Sequence, residues 1–183
     1  PKAKEDFEYI DTYDFRDGPV YRDDKLFEKI EYGFDSTNLY FRLHLNSEFK
    51  DSDVSRPKIS HFFMYLKTNS KIKSSSSVRV AHKQGSPMQL LKQNFHKELM
   101  LTFVGKGMYP ATISTATSDN LWAANEFQNI NIPCNDLIDI CIPFDEIAVK
   151  KGQKLELFFV TSANGVMRDY MPKDSLLKIN RPR

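Results

Sequence analysis

Two cysteines, four histidines, one tryptophan and seven glycines in 183 residues leave little material for several kinds of chemistry. Cys134 and Cys141 are too few for a disulfide framework. Cys141 falls inside a strand-like run and Cys134 just before it, so a bridge between them would need a sharp local reversal. Reduced thiols in an intracellular compartment are the expectation. His44, His61, His82 and His96 show no metal-ligand spacing with one another or with the cysteines, which argues against a zinc or di-iron centre. No apolar run approaches the ~18 residues that cross a bilayer, and no charged-then-apolar leader is present. An excess of either charge is also missing: 26 basic against 24 acidic residues leave a net +2. That balance supplies no electrostatic footprint for nucleic acid or an anionic membrane, and neither partner is expected. The runs Lys67–Lys73 and Lys150–Lys154 read as solvated edges or loops.

Apolar and aromatic residues are plentiful. The chain is 40% hydrophobic with 14 Phe and 8 Tyr, enough for one substantial core without disulfide or metal staples. Its length suits one domain spanning residues 1–183. It begins at Pro1 rather than methionine, and we expect a piece excised from a longer protein.

Strict alternation identifies the first element. Ile30, Tyr32 and Phe34 share one face, with Lys29 and Glu31 on the other. After Asp35-Ser36-Thr37-Asn38, the residues Leu39, Phe41, Leu43 and Leu45 point one way, and Tyr40, Arg42 and His44 the other. This is the pattern of two half-buried strands. Asp and Asn in the link suit a tight reversal because their side chains bond the nearby backbone. His61–Lys67 is apolar on both faces, as a central strand requires. Glu98–Val104, Ala111–Thr117, Phe127–Ile132, Ile138–Ile142, Leu155–Thr161 and Leu176–Asn180 read as further strands, with a short one at Val78–Ala81. Ser86-Pro87-Met88-Gln89 has the form of a helix start, with Ser as cap and Pro in the first position. Phe144–Val149 reads as a single turn, and Asn164-Gly165 is a favoured hairpin pair. Asp11 to Asp24 shows no sustained period and reads as irregular. Many short strands with frequent turn signals predict an all-β fold, an antiparallel β-sandwich with one short helix. Ser74–Ser77 forms a serine run, but neither half of the chain holds enough strands to close a sandwich alone.

No reaction centre emerges. Gly85-Ser86-Pro87 lacks the flanking pattern of a nucleophile elbow. Gly105-Lys106-Gly107 is too short to cradle a phosphate and reads as a hairpin turn. Asp51-Ser52-Asp53 opens like a calcium loop, yet Arg56 stands where glycine makes the bend and Phe62 where the bidentate Glu belongs. Asp11, Asp14, Asp17, Asp23 and Asp24 offer hard oxygen ligands for a looser calcium site, but read more simply as solvated loop carboxylates. No cofactor is expected. Glycoside hydrolysis needs two positioned carboxylates, and no motif singles out a pair.

Aromatic residues near polar loops suggest another role. Sugar-binding sandwiches set the apolar face of a pyranose against a ring while amides and carboxylates bond its hydroxyls. Trp122 lies in the polar stretch Thr117–Glu126, with Asn125 and Glu126 as bonding groups. Tyr109 before Pro110, and Tyr170 beside Arg168, are further rings expected at loop edges. The competing reading is that each ring packs on the sandwich edge.

The run Val20–Asp35, continued by Asn38-Leu39-Tyr40-Phe41-Arg42-Leu43, resembles the C-terminal region of family 57 glycoside hydrolases. The resemblance extends to Ile138–Phe144, Leu155–Val160, Asn164-Gly165 and Tyr170-Met171-Pro172, about half the chain, at both ends and in the right order. It implies a DOMON-like β-sandwich, related to the accessory domains of glucodextranases, in proteins acting on α-glucans such as starch and glycogen. The catalytic acids of that family stand in a separate N-terminal barrel, so none is carried over. The implied role is a noncatalytic module that binds α-glucan or packs on the catalytic domain of its parent chain. The alternative is a structural or interaction domain that braces a partner and touches no sugar.

Overall fold

The computed structural model describes residues 11–14, 27–45, 61–68, 73–74, 93–104, 107–108, 111–118, 121–134, 137–163, 166–172 and 175–183. These residues form thirteen strands and no helix: β1 (Asp11–Asp14), β2 (Phe27–Phe34), β3 (Asn38–Leu45), β4 (His61–Thr68), β5 (Lys97–Val104), β6 (Gly107–Met108), β7 (Ala111–Ser118), β8 (Leu121–Phe127), β9 (Ile130–Cys134), β10 (Leu137–Pro143), β11 (Lys154–Ala163), β12 (Val166–Met171) and β13 (Leu177–Asn180). Five strands make one sheet in the order β1-β2-β3-β10-β9. The larger sheet runs β12-β11-β4-β5-β7-β8, with β13 on β11 and β6 on β5. Every pairing is antiparallel. The fold is an all-β antiparallel sandwich.

Alternation puts the core between the sheets. Ile30, Phe41, Leu43, Ile140 and Ile142 descend from the smaller sheet onto Phe62, Met64, Leu99, Leu157 and Phe159 of the larger. Phe41 and Phe159 meet edge to face, with centroids 5.7 Å apart and planes at 75°. A second buried cluster lies on the outer face of the larger sheet, built from Phe63, Tyr65, Phe95, Phe158, Val160, Met167 and Leu176. Strands β4 and β11 are thus apolar on both faces, as the sequence of His61–Lys67 predicts.

The link between β2 and β3 works as its sequence indicates. Asp35 Oδ1 accepts from the backbone N–H groups of Thr37 and Asn38, both at 2.7 Å, and Oδ2 accepts from the Tyr40 hydroxyl at 2.7 Å. Burial pushes the Asp35 carboxyl up, but those hydrogen bonds outweigh it and hold the carboxyl well below the usual range. After β10, Phe144, Ile147 and Val149 close one end of the core in a turn. Arg181 lies over the Phe144 ring, 4.0 Å from its centroid, and donates to the carbonyls of Val149 and Ser36. This ties the C-terminal tail to the first hairpin.

Three stretches differ from expectation. Asp11–Asp14 is strand β1, paired with β2 from Asp11↔Tyr32 to Asp14↔Lys29. Residues 121–126, expected as loop, form most of β8, and the strand expected at Phe127–Ile132 is divided between the end of β8 and the start of β9. Arg168 and Tyr170 lie within β12 rather than in a loop. Each of these is an edge strand, where ladder hydrogen bonds from a single neighbour substitute for the two-faced apolar pattern that sequence reveals. Pro133 stands in edge strand β9, where a missing N–H costs no ladder bond on the open side. The helix at Ser86, the strand at Val78–Ala81, Tyr109, Asp17, Asp23 and Asp24 lie outside the described residues, as do the side chains of Asp11 and Asp14.

Candidate functional site

The edge strand β8 carries the sequence-derived sugar site, and its register decides which side chains cooperate. Ala116 faces Trp122, Ser114 faces Ala124 and Thr112 faces Glu126. Since Ile113 and Phe127 point into the core, these three pairs share the outer face of the larger sheet. Trp122 and Glu126 therefore stand on one face with the small Ala124 between them. Asn125, opposite Ile113, projects on the other face.

Trp122 is half-buried and packs against the outer aromatic cluster, 6.5 Å from Tyr65 with planes at 53°. Glu126 is exposed and accepts from the Gln128 amide at 3.1 Å. A half-buried, anchored ring and an exposed carboxylate four residues along the same face can stack one pyranose and bond the hydroxyls of another. Tyr170 shares that sheet face but packs on Phe158 at 6.0 Å, at the far edge with Arg168. Five strand spacings separate β12 from β8, roughly 24 Å, so Trp122 and Tyr170 cannot hold the same sugar unit. The register sets Trp122 and Glu126 on one face of β8, about 14 Å apart along the strand, and places Asn125, Arg168 and Tyr170 away from that face or that edge.

Between these edges the outer face is aromatic and buried. His61, Phe63 and Tyr65 stack along β4, with centroid separations of 5.8 and 5.9 Å. Glu98 is fully buried here, with Tyr65 and Ser114 as its cross-strand neighbours. His96 sits just before β5, and its Nδ1 accepts the Thr68 N–H at 2.9 Å. Burial, and then the charge of Lys67, pull the His96 pKa below its ordinary value.

The outer face of the smaller sheet holds a polar lattice that sequence reasoning missed. Register aligns Glu31, Arg42 and Asp139 across β2, β3 and β10. Arg42 grips Asp139 with both arms, Nε to Oδ1 at 2.8 Å and Nη2 to Oδ2 at 2.9 Å. Glu31 meets His44 at 2.8 Å and Lys29 at 2.6 Å. Burial raises the Glu31 pKa, but the bonds from Lys29 and His44 outweigh it and bring it below the ordinary value. Alternation placed Arg42 and His44 outward, but nothing local connects Arg42 with a residue 97 positions later. The lattice neutralises itself and staples three strands. Cys141 is half-buried and faces Tyr40 in this layer.

Among the described residues no group of three His, Cys, Asp or Glu side chains is placed to hold a metal ion, and no helix is long and apolar enough to cross a membrane. In comparisons with known proteins, no family model and no curated protein matches this chain.

Proposed function

We propose that this chain is a noncatalytic carbohydrate-binding module of an α-glucan-active protein, in which Trp122 stacks on one glucose ring and Glu126, about 14 Å further along β8, accepts hydroxyl hydrogens from another unit of the same polymer. The observation that carries the reading is a half-buried, well-anchored indole and an exposed carboxylate on one face of an edge strand. The sandwich fold and the resemblance to the C-terminal region of family 57 glycoside hydrolases support it. The catalytic domain of the parent chain is the second partner in this reading, delivering the chemistry while the module holds the polymer. One ring and one carboxylate give weak binding, about millimolar to micromolar, because association costs consume most of a small contact.

Affinity electrophoresis through amylopectin and glycogen tests the reading. Retardation is expected for the native chain and its loss for Trp122→Ala, with Tyr170→Phe as an unaffected control. Unretarded migration, unchanged by Trp122→Ala, would overturn it. The alternative role, bracing a partner without touching sugar, draws on Leu121, which is 62% exposed at the start of β8.

A further inference from the structure

We infer that the polymer this module holds is a phosphate-bearing α-glucan, running from Trp122 across the end of the larger sheet to a cationic corner around Lys151, Lys178 and Arg183. The inference rests on the reading of Trp122 as a sugar-stacking ring and adds the substrate class. Register builds the track. On the outer face, Lys178 of β13 faces Glu156 of β11, and Glu156 faces Lys67 of β4. The bend at His96 continues the row: its N–H donates to the Leu66 carbonyl at 2.8 Å, and its carbonyl accepts from the Ala116 N–H at 3.0 Å. Ala116 in turn faces Trp122 of β8. Five strand spacings, roughly 24 Å, separate Lys178 from the indole. The neighbouring row of Phe158, Tyr65, Glu98 and Ser114 is fully buried. The end row is accessible, with Ala116 its one buried member. Lys178 is exposed, the Lys67 side chain is 38% exposed, and His96, Glu156 and Trp122 are half-buried.

At the far end of that row the nearly balanced charge of the chain separates. The turn Lys150–Gln153 is laced to the tail, Gly152 N–H donating to the Arg181 carbonyl and Arg181 N–H to the Gln153 carbonyl, both at 2.9 Å. This sets Lys150, Lys151 and Arg183 beside Lys154 and Lys178 where β11 and β13 pair. Lys154 and Lys67 are committed to Glu156, at 2.8 and 3.5 Å. Lys150, Lys151, Lys178 and Arg183 are exposed and pair with no carboxylate among the described residues. The nearest acids in sequence, Asp145 and Glu146, belong to the preceding turn, and the field of Glu146 falls on Lys97. Neutral hydroxyls give these cations nothing to neutralise. A phosphate ester carries about −1.5 to −2 charge near pH 7 and accepts charge-assisted hydrogen bonds through its oxygens. Phe144 is buried under Arg181, so it offers no platform on which a nucleic-acid base could stack. The track leads back instead to the indole. Starch and glycogen are branched, so units on two sides of Trp122 reach Glu126 along β8 and this corner across the strands.

Binding of the full chain to phosphorylated amylopectin, and to the same polymer after phosphatase treatment, tests the inference. The native chain should hold the phosphorylated polymer about three- to tenfold more tightly at low salt, and the preference should shrink as ionic strength rises. Combining Lys151→Ala, Lys178→Ala and Arg183→Ala should lower affinity for the phosphorylated polymer to that for the treated one. All three side chains are exposed, so the melting temperature should not change. Trp122→Ala should weaken binding to both polymers. Equal affinity of the native chain for the two, or a preference that survives the triple substitution, would overturn the inference and leave the sugar reading standing. Phosphorylated-polymer binding indifferent to Trp122→Ala would overturn it too. So would displacement by poly-glutamate at lower concentration than by phosphorylated glucan, which would make the corner a dock for an acidic protein segment. A native chain that holds neither polymer would sink the sugar reading and this inference with it.

Discussion

Replacing Phe159 tests the register on which the sandwich rests. Phe159 is fully buried and reaches from the larger sheet to Phe41 of the smaller, 5.7 Å between centroids, and to Phe62 at 6.1 Å. Truncation to alanine removes a whole ring from between the layers and should cost about 3–5 kcal/mol. For a chain of this size that lowers the melting temperature by about 6–20 °C. The sharper measurement is a double-mutant cycle. Phe41→Leu and Phe159→Leu together should show a coupling of about 0.5–1.5 kcal/mol from their lost edge-to-face contact. Phe158 is equally buried, but it faces away from the core and packs on Tyr170. Phe41→Leu with Phe158→Leu should therefore add to within about 0.5 kcal/mol. A slip of one residue in β11 would exchange the faces of Phe158 and Phe159. Urea unfolding followed by circular dichroism reads both cycles. Coupling of Phe41 to Phe158 equal to or above its coupling to Phe159 would refute the assignment of inner and outer faces.

Further outcomes follow from the turn, the histidines and the tail. Burial, the hydrogen bond to Asp35 and the proximity of Cys141 push the Tyr40 phenol up to about 12. Asp35→Asn should bring it part of the way back toward 10.0, visible as an earlier tyrosinate absorbance step that Tyr40→Phe removes. The lowered Asp35 carboxyl contributes stability above its unfolded pKa near 3.8 that fades as pH falls, so native protein and Asp35→Asn should converge in strong acid. His61 and His96 are held below 6.5, His61 by burial and His96 by burial and then Lys67. The unfolded chain takes up those protons first, so stability present above pH 6.5 should erode as pH falls below it. A denaturation midpoint flat from that pH down to about 5 would contradict this sign, because carboxylate titration begins lower. Gly152 has φ +75, and the Cβ of an alanine there would meet the flexible Arg183 side chain, Cγ at 3.4 Å and Nε at 4.0 Å. Gly152→Ala should therefore cost about 1–2 kcal/mol through the backbone alone. Ala148, at φ 52, should conversely gain a few tenths of a kcal/mol as Ala148→Gly, and calorimetry of the pair would reveal the opposite signs.

Local sequence was sufficient wherever one strand met both core and solvent. The alternation of Ile30 to Leu45 fixed the β2–β3 hairpin, Asp35 marked its turn, and the two-faced apolar run at His61 marked a central strand, because burial writes a period of two into the side chains. It was insufficient at the edges. Strands β1, β8 and β12 carry mixed or polar residues, and only the ladder to a neighbouring strand (β2, β7 and β11 in turn) makes them strands. The same physics divides the candidate site. Trp122, Asn125 and Glu126 were legible as residues able to hold a sugar, but the pleat of β8 sends Asn125 to one face and the other two to the opposite one. Arg168 and Tyr170 fall at the far edge of the sheet. Arg42 gave no hint of Asp139, since their contact exists only after β3 and β10 are laid side by side. The sequence alone determined a β-sandwich and its core faces, because hydrophobic burial is encoded residue by residue. Which polar groups meet, and which strands fall at the sheet edges, was decided by strand order, a property of the whole chain.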